Sequence, residues 1–205
     1  VQSPQDDLIS ALAAVEEAGE VLTEDELVST CVLLLNAGHE ATVNVFGNGM
    51  LALLQNPDQM SLLRNNLKAL VPTAVEEMMR YDTPLQLFRR WVLEDIDYKG
   101  VCFRQGEQLA LLFGQLALLF GSANRDQARF DQPDVLDITR TENPHITFSQ
   151  GIHFCLGAPL ARMELQIALA TLLRRIPSMR LEYMPQYRDS YVIRGLHDLV
   201  VQLDA

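Results

Sequence analysis

The chain has 205 residues, 48% of them hydrophobic, and 27 Asp and Glu against 16 Lys and Arg give a formal net charge of −11. That length and apolar content can bury a good core in one or two domains and exclude a disordered polymer. The acidity excludes general nucleic-acid binding, which calls for a basic face.

Three cysteines, Cys31, Cys102 and Cys155, are odd in number and far apart, a usage that fits a reducing compartment better than a disulfide framework. The N-terminal V-Q-S-P-Q-D-D has no basic n-region, and the apolar runs are broken by glycine, asparagine or glutamine. Neither a signal peptide nor a membrane span is expected, and the setting is read as cytoplasmic.

Residues 6–18 read as a short helix end, followed by Gly19. Thr23-Glu24-Asp25-Glu26 has capping-box spacing and opens a long helix from 24 to about 55, stopped by Asn56-Pro57. Because this helix is apolar almost all round, it is expected to be central and buried on most faces. Its middle, Asn36-Ala37-Gly38-His39-Glu40-Ala41-Thr42, sets polar groups in an apolar helix, where each costs stability. Periodicity alone leaves a solvent-facing stripe and a functional cluster both open.

Helices are expected over 58–66 and, opened by Pro72, over 73–81. In the second, Glu77 and Arg80 lie three apart on one face, the spacing of an ordinary surface pair contributing about 0.2–0.5 kcal/mol. After Pro84 the short extended runs 90–93, 96–98, 101–103 and 108–113 predict a small sheet. Residues 108–114, Q-L-A-L-L-F-G, recur letter for letter as 115–121. Seven extra residues in a continuous strand would exchange its inward and outward faces, so one copy is expected to bulge, loop out or form a helical turn hinged at Gly114 or Gly121.

The stretch 148–162 reads F-S-Q-G-I-H-F-C-L-G-A-P-L-A-R. Gly151 and Gly157 bracket Cys155 and permit the backbone angles and close approach of a loop wrapped round a sulfur or a flat ligand. A helix over 158–176, with Pro159 in its first turn, presents its positive end to the sulfur and favours thiolate over thiol. Such a thiolate can ligate iron; a lone cysteine before a helix is also read as a small buried apolar residue. Runs at 180–184, 191–194 and 199–203 look like terminal hairpins. There is no phosphate loop, nucleotide fingerprint or zinc spacing.

The string F-x-x-G-x-H-x-C-x-G followed by A-x-x-A-R resembles the haem-binding loop of the cytochrome P450 family, the haem-thiolate monooxygenases, and Glu77-Met78-Met79-Arg80 resembles its E-x-x-R. The resemblance implies a mainly α fold with small β-sheets, the C-terminal half of the family's fold over residues 1–205, with the N-terminal half absent from this chain. It implies haem b ligated by Cys155 and contacted by Phe148, Gly151, Gly157, Ala37 and Gly38. His153 and Arg90 match propionate partners, with Arg89 as a competing assignment, and Glu77, Arg80 and Arg140 match a buried structural set.

Ala37-Gly38-x-Glu40 is similar to the family's A-G-x-E-T, which bends the helix beside the haem and carries oxygen and protons, so Glu40, Ala41 and Thr42 are the candidate catalytic residues. Ala41 stands where the family usually has threonine, and Thr42 lies about 100° further round the helix. Proton delivery then falls to an ordered water or a substrate hydroxyl. The implied function is insertion of one oxygen atom of O2 into a small organic substrate, with electrons from an external ferredoxin or flavoprotein, once the N-terminal half is supplied, for instance by a second chain. The alternative is a non-catalytic haem-binding or protein-interaction module derived from that fold.

Overall fold

The computed structural model describes residues 3–17, 20–88, 90–98, 100–109 and 118–203, and the chain divides after Glu40 into two units. In the first, Asp7 caps α1 (Leu8–Ala14), its Oδ1 accepting the Ser10 N–H at 2.8 Å. An antiparallel pair follows, β1 (Glu16–Glu17) with β2 (Glu20–Val21). Thr23 and Glu26 form the expected capping box: the Glu26 carboxylate accepts the Thr23 N–H at 2.9 Å, and Thr23 Oγ1 accepts the Glu26 N–H at 3.3 Å. Two otherwise orphaned amides are satisfied, and α2 (Glu24–Gln55) starts here.

The expectation that this helix is buried on most faces holds only for its C-terminal part. Val28, Val32, Leu33 and Leu35 are each more than half exposed, and continuous burial begins near Asn44. A helix apolar all round needs partners on every face, and the described residues supply them only to its end.

In the second unit α2 runs on into α3 (Pro57–Asn65) and α4 (Leu67–Tyr81). Pro57 sits in the first turn of its helix, where the N–H it lacks would have had no partner. Pro72, expected to open a helix, instead lies inside α4. The helix starts at Leu67, and burial of Val71, Ala74, Val75, Met78 and Met79 offsets the one backbone bond that proline removes.

The small sheet is present as pieces: β3 (Leu87–Phe88), β4 (Arg90–Trp91), β5 (Ile96–Tyr98), β6 (Val101–Phe103), β7 (Gln108–Leu109) and β8 (Leu118–Leu119), paired antiparallel as β3 with β8, β4 with β7 and β5 with β6. After α5 (Phe120–Ala123) the chain is irregular up to α6 (Ala158–Arg175), and β9 (Met179–Leu181) pairs with β10 (Val201–Leu203). Residues 191–194 form no strand; Ile193 makes only an isolated bridge to Leu85.

The core lies between α4 and α6. Leu165, Leu169 and Leu173 recur at helical spacing and meet Val75, Met78 and Met79, with Val45, Met50 and Leu53 from α2 and Leu136 and Ile138 from the irregular segment. A Cβ on Gly49 would stand 2.8 Å from Met78 Cβ, so α2 and α4 approach as only glycine allows. At the far end of the core, Arg64 donates to the carbonyls of Leu173 and Ile176 at 3.0 and 2.9 Å, capping the last turn of α6.

The sheet pieces also show how the repeat is accommodated. Arg90 faces Leu109, whereas Phe88, two residues earlier, faces Leu118. Moving back two residues on one antiparallel strand should advance two on the other; here it advances nine, a register offset of seven, which is the length of the repeat. The first copy supplies β7 and the second supplies β8, and an offset of one whole repeat preserves the sequence register that a continuous strand would have had. Residues 110–117, Gly114 among them, lie outside the described residues, and Gly121 falls within α5.

Deleting residues 115–121 would leave one copy free to run unbroken from β7 into α5. Closing an additional seven-residue loop costs about 1–2 kcal/mol, so the urea midpoint of the shortened chain should match or exceed that of the full one. A fall in both midpoint and haem content would show that the second copy makes contacts the fold requires.

Candidate functional site

Cys155 stands between a single 3₁₀ turn, Gly151–His153, and the start of α6. Its N–H donates to the Phe148 carbonyl at 2.9 Å and its own carbonyl accepts the Ala158 N–H at 3.2 Å. The loop therefore closes on itself and hands the cysteine directly to the helix. Two residues in it turn through the left-handed region, Ser149 at φ 62° and Gly151 at φ 65°. Glycine adopts that conformation freely, but serine pays about 1–2 kcal/mol for it. Pro159 lies in the first turn of α6 and Arg174 and Arg175 in the last, so the helix presents an unencumbered positive end near the sulfur.

Cys155 is a free and exposed thiol, which sets aside its reading as a small buried residue. Around it Ile152 is 98% exposed, Leu156 89% and Phe154 53%. A Cβ on Gly157 would come within 4 Å of Cys155 Sγ alone, at 3.9 Å, and one on Gly151 would meet nothing within that distance. Among the described residues no group of three or more His, Cys, Asp or Glu could hold a metal ion, so a metal on Cys155 must bring its remaining ligands with it. A single thiol with an open apolar rim fits a flat, largely apolar macrocycle such as haem.

Behind the loop, α4 presents two adjacent acids to two different places. Glu77 and Arg80 are fully buried, with Arg80 Nε and Nη2 donating to the Glu77 carboxylate at 2.8 and 2.7 Å. The other Arg80 donors meet the carbonyls of Asn124 and Pro133 at 2.9 and 2.8 Å and that of Val135 at 3.2 Å. Arg140 Nε lies 3.3 Å from the Glu77 carboxylate as an ion pair, and Asn143 Nδ2 and the Asp137 N–H donate hydrogen bonds to it, at 3.1 and 2.9 Å. The surface-pair reading of the E-x-x-R is thereby excluded.

Glu76 turns instead toward α6 and the residues before the loop. Its carboxylate accepts Arg162 Nε at 2.7 Å and Nη2 at 2.9 Å, and His145 Nε2 lies 3.0 Å away. The Thr147 N–H points at His145 Nδ1 at 3.3 Å, so Nδ1 accepts there and Nε2 carries the proton shared with Glu76. Burial pushes the Glu76 carboxyl up, but the hydrogen bonds from His145 and Arg162, with the charge of Arg162, outweigh it and hold the group at about 2. Hydrogen bonding to Glu76 in turn raises the Arg162 guanidinium above its ordinary range, and that guanidinium lies 4.6 Å from the centre of the Phe148 ring.

The fold thus gathers Phe148, Gly151, His153, Cys155 and Gly157 into one loop, with His153 exposed, and Glu77, Arg80 and Arg140 into one buried cluster. Ala37, Gly38 and Glu40 are exposed residues of α2 in the first unit, while Ala41 and Thr42 open the second and are half-buried. Arg90 is placed by its backbone in β4, and Arg89 lies outside the described residues. Glu76, His145, Arg162 and Asn143 were not singled out by sequence. The signal for two of them was in the motifs already quoted: the acid just before E-x-x-R and the arginine that ends A-x-x-A-R.

The left-handed serine gives a direct test of the loop geometry. Ser149→Gly removes strain of about 1–2 kcal/mol and returns about 0.5–1 kcal/mol through the freer unfolded chain, so stability should rise by roughly 0.5–1 kcal/mol in urea denaturation. A fall would show that the hydroxyl, rather than the backbone alone, is needed where it stands.

A family model described as "Cytochrome P450" matches residues 2–186. The "Biotin biosynthesis cytochrome P450" of Bacillus subtilis (strain 168) is 49% identical over 202 residues, covering 98% of this chain and 49% of that protein. The "Polyketide biosynthesis cytochrome P450 PksS" of the same organism is 45% identical over 204 residues, with 98% and 48% covered. Among solved structures, P450BioI in complex with acyl carrier protein ligated to hexadec-9Z-enoic acid superposes with a TM-score of 0.88 at 49% identity, over 99% of this chain and 50% of the other. The chain spans about half the length of the curated relatives it matches. With a family model matched over most of its residues and relatives near half identical along nearly its whole length, this chain belongs to the cytochrome P450 family.

Proposed function

We propose that this chain is the haem-binding half of a haem-thiolate monooxygenase that inserts one oxygen atom of O2 into a small organic substrate. The observation that carries the reading is the exposed Cys155 thiol at the start of α6, rimmed by Ile152, Phe154 and Leu156, in a chain of this family. Cys155 as thiolate would hold the iron, with Phe148, Gly151 and Gly157 shaping the loop against the macrocycle. Arg90 and His153 would be the residues for its propionates. When bound, haem b supplies the iron redox chemistry of oxygen activation.

On α2, Ala37 and Gly38 present backbone without bulk; a Cβ on Gly38 would meet nothing within 4 Å. Glu40 carries protons toward the site. Ala41 has no hydroxyl to pass them on and Thr42 sits about 100° away, so the final donor is an ordered water or a hydroxyl of the substrate itself. Electrons come from an external ferredoxin or flavoprotein. The activity requires the N-terminal half, which a second chain can supply. Val28, Val32, Leu33 and Leu35 on α2, and Leu160, Met163 and Ile167 on α6, are exposed apolar side chains that such a half would cover.

The three free cysteines support a reducing, cytoplasmic setting. No helix of the described residues is long and apolar enough to cross a membrane.

The test is an absorption spectrum of the reduced, carbon-monoxide-bound chain after haem addition, with Cys155→Ser alongside. The proposal expects a strongly red-shifted Soret band in the wild type that the substitution abolishes. A conventional haem spectrum from the wild type would contradict thiolate ligation and leave a non-catalytic module as the reading.

A further inference from the structure

The loop that carries Cys155 is closed by one backbone hydrogen bond and turns through two left-handed residues, one of which is not glycine. A strained segment of this kind keeps its shape only where its surroundings over-determine it. Those surroundings converge on the Phe148 ring. Arg162 lies over it at 4.6 Å, and the rings of His145 and Phe154 meet it at centroid distances of 6.2 and 6.3 Å. The Phe148 carbonyl in turn takes the Cys155 N–H.

We propose that Glu76 and Arg162 form a strut that positions Cys155 through Phe148, and so governs how firmly the sulfur is presented to iron; only that second clause rests on the haem-thiolate reading above. The two-point contact between the Glu76 carboxylate and Arg162 Nε and Nη2 fixes both the place and the plane of the guanidinium, which a lysine cannot do. The plane fixes the ring by cation–π attraction, and the ring fixes the residue whose carbonyl closes the loop. His145, hydrogen-bonded to the same carboxylate, buttresses the ring from another side.

The Arg162 and Glu76 side chains remain 33% and 26% exposed. Ion pairs of such exposure add little to global stability, so the fold should stand without this one. What it contributes is direction: it connects α4, the most deeply packed helix, to the one residue of the loop that touches the cysteine backbone. A purely structural role, bracing α6 against α4, would act along the whole of α6 and not at Cys155 in particular.

The experiment compares the full chain with Arg162→Gln, Glu76→Gln and Arg162→Lys. In the haem-free proteins, residue-resolved amide hydrogen exchange should show the Cys155 amide exchanging at least tenfold faster in both Gln variants, with the Lys variant between. The Leu165 and Leu169 amides should change less than twofold. A Cys155 amide within twofold of wild type in both Gln variants, or equal acceleration along all of α6, overturns the strut. If Arg162→Gln does not fold, Glu76→Gln and Arg162→Lys carry the same comparison.

In the haem-loaded proteins, the share of reduced carbon-monoxide complex with the red-shifted band should drop at least twofold in the Gln variants. An unchanged share despite faster exchange overturns the second clause. Absence of that band from the wild type would sink thiolate ligation itself, and the exchange rates would still decide the strut.

Discussion

The arrangement depends on one ion pair with no access to water, Glu77 and Arg80, three residues apart on α4. Two buried charges would cost far more than they return if they faced only each other. Here every N–H of the guanidinium has an acceptor: two on Glu77 and the rest on the carbonyls of Asn124, Pro133 and Val135. Those carbonyls belong to the long irregular stretch between α5 and α6, which has almost no backbone ladder of its own. It takes its shape from the pair. Asn124 then relays the constraint, bonding the Ile146 N–H and Thr147 Oγ1, and the next residue is Phe148, where the cysteine loop begins.

Neighbouring acids on one helix point about 100° apart, and α4 uses that angle to serve two tasks. Glu77 faces inward and organises the irregular stretch. Glu76 faces α6 and reaches the loop through Arg162 and Phe148. Both acids thus bear on the start of the cysteine loop, Glu77 through the irregular stretch that leads into it and Glu76 through Arg162 and the Phe148 ring, and both lie on the helix most tightly packed against α6. The loop's own backbone, with Ser149 and Gly151 in the left-handed region, would not adopt that path unaided.

Much of this was legible in the sequence wherever a local rule fixes the answer. The Thr23–Glu26 capping box, the stop at Asn56-Pro57 and the loop before α6 all depend on contacts within a few residues, and they stand as expected. The family pattern supplied what spacing could not: three-residue separation of Glu77 and Arg80 reads as a surface pair, and only the surrounding motifs marked it as buried. Pro72 was misplaced because the sequence rule weighs the lost backbone bond and cannot see the core that offsets it. The exposure of α2 before Asn44 was missed because an all-round apolar helix implies neighbours without saying whether this chain contains them. Glu76, His145 and Arg162 were missed because an acid, a histidine and an arginine scattered over nearly ninety positions share no period; only the fold brings them together. The repeat was recognised, but its solution, β7 from one copy and β8 from the other, needed the pairing register.

The claim that the buried pair organises the cysteine side of the molecule is tested most directly by urea unfolding of Arg80→Ala against the unaltered chain. Removing the guanidinium strands Glu77 without its main partner and frees three carbonyls at once. The account predicts a loss of about 3–5 kcal/mol, or no folded protein at all. A variant that unfolds within about 1 kcal/mol of the wild type, the range of an ordinary surface pair, would contradict it.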